Sequence, residues 1–342
     1  RKNMKKITNL LVAISFLFSI TAANAGSLNV TGNMETTYNT SNGTTTGNPI
    51  GMDRELKFSG TTELDSGITV SVFQDTSDSL GYGNSQISFG NIMGLATIYI
   101  GSDADPVDGI DDITPSAYEE ANGSGSGTYI DIGSMAGDMG IGTKVALPYG
   151  VSLDAKYYPK VGQGTKSSDN NNSGEGTVAA DANNEDGVSA KIVADLSEVG
   201  LAGAKITAGY ATSGFANSTH TSTSESTVAL NYAAGPLSVG AQFKHNIPGG
   251  TVSTGNKYRD NAFGIAYAVN DALSLSVNRT TSTRYSMIGE VGNGKNQETD
   301  AINIGYTIGG MTIGFQDAST DNANYVLDAK DDSRTLGVSV AF

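Results

Sequence analysis

The chain ends Leu336-Gly337-Val338-Ser339-Val340-Ala341-Phe342. Leu, Val, Val and Phe share one parity, and Gly, Ser and Ala share the other. Successive side chains of a strand point to opposite faces, so strict alternation marks a strand that is apolar on one side and polar on the other. The stretch from Val188 to Leu196 repeats the pattern: Val188, Ala190, Ile192, Ala194 and Leu196 on one face, Ser189, Lys191 and Asp195 on the other. Working outward from these two, the pattern recurs in sixteen segments, beginning near Leu28, Arg54, Ile68, Gln86, Leu95, Ile141, Val151, Val188, Ala204, Ser226, Leu237, Asn261, Ala272, Thr299, Met311 and Thr335.

The links between segments alternate in length. Asp65-Ser66-Gly67, Pro148-Tyr149-Gly150, Ala234-Gly235-Pro236 and Gly309-Gly310 are tight-turn compositions. Between them come long links rich in Asn, Asp, Gly, Ser and Thr, such as Ser102 to Gly140 and Lys160 to Gly187. Short turns on one rim and long loops on the other describe an all-β, up-and-down antiparallel barrel of 16 strands with both termini at the short-turn rim.

Composition says what surrounds such a barrel. The 342 residues fit one large all-β domain, yet only 38% are apolar, below the roughly 45–50% of a soluble domain. A wide barrel with a polar lumen needs no packed core. Tyr and Phe fall near strand ends, among them Tyr38, Tyr99, Tyr157, Tyr210, Tyr232, Tyr267 and Phe342, as in interfacial girdles. The absence of cysteine excludes disulfides, thiolate metal sites and a cysteine nucleophile. A net charge of −15 argues against a nucleic-acid partner. No catalytic constellation is present. His220 and His245, the only histidines, read as solvated surface residues, and Gly162 to Ser167 misses the phosphate-loop spacing. The chain is not expected to be an enzyme.

The first residues read as a targeting segment. Arg1, Lys2, Lys5 and Lys6 precede an apolar run from Leu10 to Ile20 and then Ala23-Asn24-Ala25. The run is too short to span a bilayer, and the order matches a secretory signal peptide over 1–25, cut before Gly26, with Arg1 to Asn3 upstream of the natural start at Met4. Residues 26–342 then form the barrel domain, with 16 bases against 35 acids and a net charge of −19. No later run of 18 apolar residues occurs, and a membrane is crossed without helices only by a closed barrel.

Two stretches carry a family resemblance. Arg54-Glu55-Leu56-Lys57-Phe58-Ser59-Gly60, followed by Glu63-Leu64-Asp65-Ser66-Gly67 and Ile68 to Gln74, resembles the second and third strands of the general bacterial outer-membrane porins. Leu336, Val338, Val340 and Phe342 resemble the C-terminal assembly signal of that family. The resemblance implies a transmembrane barrel with short periplasmic turns and long extracellular loops in the outer membrane of a Gram-negative cell, usually a homotrimer. It also implies a third long loop folded into the lumen. The expected partners are outer-membrane lipid, the barrel-assembly machinery that reads Phe342, and small hydrophilic solutes and ions.

The third loop is acidic: Asp103, Asp105, Asp108, Asp111, Asp112, Glu119 and Glu120. Thr114-Pro115-Ser116-Ala117-Tyr118-Glu119-Glu120-Ala121 carries helix-start signals, with Thr at the cap, Pro at the first position and Glu in the early turns. Tyr129 to Gly133 reads as an additional β segment. The family sets such a loop against basic residues of the wall, and Lys57, Lys144 and Lys156 have lumen-facing parity. The sequence departs from the family at Glu55, where a small or polar residue is expected, and at Ser102, where many relatives carry Arg. The basic set is therefore thin, and a lumen rich in acids favours cations. Asp103 to Gly109 resembles a calcium loop with one residue too many and a Pro inside; loop-bound Ca²⁺ is the single cofactor weighed, and none is required. Three functions fit: a passive diffusion porin, a substrate-selective channel of the same shape, and a non-conducting adhesin-type barrel. A lumen parity dominated by glycine and serine favours the first.

Overall fold

The computed structural model describes residues 28–41, 47–76, 82–103, 105–121, 129, 131–161, 184–215, 220–251, 255–286 and 295–342. The segment read as a signal peptide lies outside them. The strands are β1 (Leu28–Ser41), β2 (Ile50–Glu63), β3 (Thr69–Thr76), β4 (Tyr82–Ile92), β5 (Ala96–Gly101), β6 (Gly140–Leu147), β7 (Val151–Tyr158), β8 (Asn184–Asp195) and β9 (Ala204–Phe215). They continue as β10 (His220–Thr221), β11 (Thr223–Ala234), β12 (Leu237–Ile247), β13 (Gly250–Thr251), β14 (Asn256–Ala268), β15 (Leu273–Ser286), β16 (Lys295–Ile308), β17 (Met311–Asp321) and β18 (Lys330–Ala341). The short β10 and β13 pair with each other beyond the loop rim, and the other sixteen close one antiparallel barrel in chain order.

The period-two pattern decides which way each strand faces. Exposed large apolar side chains fall on one parity, as with Val228, Leu230 and Tyr232 on β11 and Val277 and Leu275 on β15. The opposite parity is polar and buried: Glu225 and Thr227 on β11, Gln242 and Lys244 on β12, Ser276 and Asn278 on β15. This is a barrel with its greasy face outward, and burying those outward residues in lipid supplies the driving force that a soluble protein obtains from its core. Among the described residues no helix is long and apolar enough to cross a membrane.

Several strands start earlier than the alternation indicates. β2 begins at Ile50 rather than Arg54, β16 at Lys295 rather than Thr299, and β18 at Lys330 rather than Thr335. All these extensions lie at the loop rim. Above the lipid the hydrogen-bonded ladder continues, but the outer face no longer needs to be apolar, so the alternation fades while the strand persists. At the other rim the turns are tight: Gly235 and Gly309 take left-handed φ values of 58° and 61° in two-residue links, the conformation that matches strand twist in short hairpins.

The seam joins β1 to β18, from Asn33 opposite Ala341 to Ser41 opposite Ser333. Phe342 extends it: its N–H donates to the Gly32 carbonyl at 3.0 Å, and the Gly32 N–H donates back at 2.8 Å. Its ring lies over Gly32, where a Cβ would come within 2.6 Å of Cζ. The outward space beside Gly32 is thus filled by the Phe342 ring. One expectation from the sequence changes. Tyr99 is not in the girdle but points inward, 3% exposed, and its hydroxyl donates to Asp154 at 2.7 Å.

Candidate functional site: the loop held inside the barrel

The segment between β5 and β6 lies against the inner wall. No helix forms over Thr114 to Ala121; the only helical piece here among the described residues is a single 3-10 turn, Asp108–Ile110. The reason is long-range competition. The carbonyls of Pro115, Glu119 and Glu120, which a helix would tie to its own N–H groups, accept instead from wall amides. Asn278 Nδ2 donates to Pro115 at 2.9 Å, and Gln316 Nε2 donates to both Glu119 and Glu120 at 3.0 Å. The Ala117 N–H donates to Ser276 Oγ at 2.9 Å. Among the described residues no strand forms over Tyr129 to Gly133 either.

The wall has a track shaped for this segment. Gly240 and Gly264 are cross-strand neighbours, as are Gly305, Gly314 and Gly337. A Cβ at Gly240 or Gly264 would run into Pro115, one at Gly305 into the Ala117 carbonyl, and one at Gly314 or Gly337 into the Tyr118 ring or hydroxyl. Glycine is what lets the loop backbone approach so closely. Tyr118 reaches across to β1, donating to Glu35 at 2.8 Å.

Nearer its start the loop is held by charge. Lys244 of β12, with a side chain 3% exposed, places Nζ 3.1 Å from Asp111, 3.0 Å from Asp112 and 3.9 Å from Asp131. The oxygens of these three carboxylates lie within 4.8 Å of one another, and the ammonium group occupies the centre a metal ion would take. Gln242, one turn of the pleat below, donates to the carbonyls of Ile110 and Asp111 at 2.8 and 2.7 Å. Asp105 is fully buried and its Oδ1 accepts from the N–H groups of Val107 and Asp108 and from Ser189. Through that one oxygen the carboxylate caps a turn. It does not present the converging oxygens of a calcium loop.

The acids therefore divide. Asp105, Asp111 and Asp112 are committed to holding the loop. Asp103, Asp108, Glu119 and Glu120 form no ion pair among the described residues. Burial pushes the Glu120 carboxyl up to about 7, and burial together with Asp105 and Glu225 pushes Asp108 up to about 6. Glu119 is raised by burial and by Glu35, and burial raises Asp111 against the pull of Lys244.

The three wall lysines singled out from the sequence are spread apart. Lys156 is buried, and its Nζ donates to the Asp103 carbonyl at 2.9 Å. Lys144 lies 3.9 Å from Asp154 of the neighbouring strand, and Lys57 sits over the Phe73 ring at 3.8 Å. The loop's ionic partner, Lys244, was not among them. On the short-turn side of the loop, Lys191 and Lys205 line a cavity of about 640 Å³ together with Ile110, Pro115 and Asn231. Inward tyrosines exist, but Tyr99, Tyr158 and Tyr325 are buried in packing and do not line a path.

A closed sixteen-stranded barrel with an apolar exterior, a polar interior and a loop laid along its inner wall is the architecture of an outer-membrane channel. The profile of the Gram-negative porin family matches residues 10–313, and the chain belongs to that family. No curated protein sequence matches it. Among solved structures it is similar to in-vitro folded OmpT, an outer membrane protein of Vibrio cholerae, with TM-score 0.67 and 10% identity over 95% of this chain and 100% of the other. It is also similar to an anion-selective porin from Comamonas acidovorans, with TM-score 0.66 and 12% identity over 93% and 100%, and to a trimer form of OmpT with the same four values.

Proposed function

We propose that this porin is a passive diffusion channel for small hydrophilic solutes and ions, with a mild preference for cations set by the loop between β5 and β6. One observation carries the reading: from Ser102 to Met139 the loop contains nine carboxylates and no lysine or arginine. The inward parity of the wall carries both signs, with Glu35, Asp53, Glu55, Asp75, Asp154, Glu225 and Asp260 among its acids and Lys57, Lys144, Lys156, Lys191, Lys205 and Lys244 among its bases. The loop adds only negative charge to this mixture. Two unit charges about 4 Å apart interact by ~1 kcal/mol in water and ~4 kcal/mol at an effective dielectric of 20, and ~1.4 kcal/mol is tenfold in an equilibrium. A wide, water-filled passage realises only part of that. The unpaired lysines on the short-turn side reduce it further, hence a mild preference.

Asp103, Asp108, Glu119 and Glu120 act on permeating ions in this reading, while Asp105, Asp111 and Asp112 hold the loop in place. Leu336, Val338, Val340 and Phe342 direct assembly after export and signal-peptide cleavage before Gly26. The trimer form of OmpT supports a homotrimer here. Deleting Phe342 is expected to deplete folded barrel from the outer membrane; normal levels would remove that assignment.

A second reading has its own support. The cavity lined by Lys191 and Lys205 suits an anionic solute, and one similar structure is an anion-selective porin. Single-channel recording of the refolded chain in a salt gradient separates the two. A reversal potential of cationic sign supports the first reading, and an anionic sign with saturable block by a small organic anion supports the second.

A further inference from the structure

The outward face of the barrel carries charge above its apolar band, and the two sides of the molecule treat that charge differently. On β15 to β18 the bases are neutralised. Arg279 makes a two-pronged pair with Asp300, both contacts at 2.6 Å, Arg334 Nε lies 3.1 Å from Asp317, and Lys330 lies 3.0 Å from Asp321. On β12 and β14 they are not. His245 faces Arg259 across the strands, Lys257 lies one outward position further up β14, and none of the three makes an ion pair among the described residues. In a chain with 35 acids and 20 bases this is an uncommon concentration of uncompensated cations.

The two cations among them are not loose surface charges. Lys257 and Arg259 both pack over the ring of Tyr285, at 5.6 and 5.4 Å from its centroid, which limits the rotamers each can adopt. Below them Phe243 and Phe263 meet edge to face at 6.4 Å, half-exposed on the lipid side. Between these layers runs a groove of about 370 Å³ lined by Ser226, Val228, Phe243, His245, Arg259 and Asn261. Its lower wall is apolar and its upper wall cationic. The rise from Tyr267 in the inner girdle to Arg259, at about 3.3 Å per residue and a tilt near 40°, is about 20 Å. That puts Arg259 close to the upper edge of an apolar band about 25 Å tall.

We propose that this groove binds the phosphate group of an anionic lipid of the outward-facing leaflet, with the acyl chains against Phe243 and Phe263 and the phosphate between His245, Arg259 and Lys257. Charge complementarity fixes the occupant. At the hydrocarbon boundary the anion presented to an outward-facing basic cluster is a lipid headgroup, and an arginine with a neighbouring lysine supplies both the forked and the point-charge donors a phosphate takes. The assignment is independent of the ion preference of the lumen.

The test uses the full refolded chain in a non-ionic detergent, with bound lipid counted by native mass spectrometry. The probes are phosphatidic acid, the matching diacylglycerol and inorganic phosphate. Wild-type protein is expected to retain phosphatidic acid at least tenfold better than diacylglycerol. The variant His245→Asn, Lys257→Gln, Arg259→Gln should fall to the diacylglycerol level, and Arg259→Gln alone, which changes a single exposed residue and folds if the wild type does, should lose at least threefold. Lys144→Gln, Lys191→Gln, Lys205→Gln removes comparable charge from the lumen and should stay within twofold of wild type. Equal losses from the two triple variants would make the effect one of net charge and overturn the site. Undiminished retention in Arg259→Gln would do the same. Displacement of the lipid by equimolar inorganic phosphate would assign the groove to a soluble anion and overturn the lipid assignment.

Discussion

The two ends of the inner loop are held by different chemistries. From Asp103 to Ile113 the hold has an ionic part that the rest lacks: Lys244 gathers Asp111 and Asp112 together with Asp131, Lys156 takes the Asp103 carbonyl, and Asp105 caps the turn, beside the Gln242 amide on the Ile110 and Asp111 carbonyls. From Thr114 to Ala121 it is neutral: Asn278 and Gln316 donate to backbone carbonyls and a glycine track lets the chain lie close. The difference has a functional consequence. Carboxylates spent on attachment in the first part are partly cancelled by Lys244, whereas Glu119 and Glu120 lie where attachment uses only the backbone. Their charge is left for the lumen.

The ionic hold should be the easier one to break. Removing one member of a buried ion cluster leaves the others uncompensated, at a typical cost of about 3–5 kcal/mol. Lys244→Met is therefore expected to lower the heat-induced gel shift of the barrel and to raise single-channel noise, as three carboxylates lose their shared cation. Unchanged melting and noise would mean that the neutral contacts hold the loop alone. On the other side, Gly314→Val drives a side chain into the Tyr118 ring, and overpacking of this kind costs about 1–3 kcal/mol. The expected result is a smaller change in melting, with increased conductance as Tyr118 leaves Glu35. A conductance equal to wild type would place Tyr118 off the permeation path.

Much of this was legible in the sequence, and the misses share a cause. Strand number and facing follow from parity, which is local. The helix expected over Thr114 to Ala121 failed because cap and propensity signals are local too, while the hydrogen bonds that overrode them come from Asn278 and Gln316, more than 150 residues away. Lys244 escaped notice although its strand shows the signal: the inward parity of β12 reads Ser238, Gly240, Gln242, Lys244, Asn246, a lysine between two amides beside a glycine. The glycines that suggested an unspecialised lumen are in fact the bed of the loop.

A smaller, graded effect should appear with pH. The Glu120 carboxyl titrates near 7 and Asp108 near 6, both raised by burial. A carboxyl whose pKa is raised on folding binds its proton more tightly in the folded state. Its contribution to stability is complete below the ordinary carboxylate range near 4 and is lost as pH rises through the folded value. The loop should thus sit more firmly at pH 5 than at pH 8, and cation preference should be weaker at pH 5 than at pH 8. A midpoint near 4 in the reversal potential would show these acids to be fully solvated.

The central claim is that the carboxylates left over from attachment set ion preference, and reversal potentials in a potassium chloride gradient test it most directly. Asp108→Asn, Glu119→Gln, Glu120→Gln should remove most of the cation preference with little change in conductance. Glu175→Gln, Asp181→Asn, Glu185→Gln, acids that lie outside the β5–β6 loop in the sequence, should leave the preference nearly intact. Equal shifts from the two variants would contradict the account and make diffuse surface charge, rather than the inner loop, the origin of selectivity.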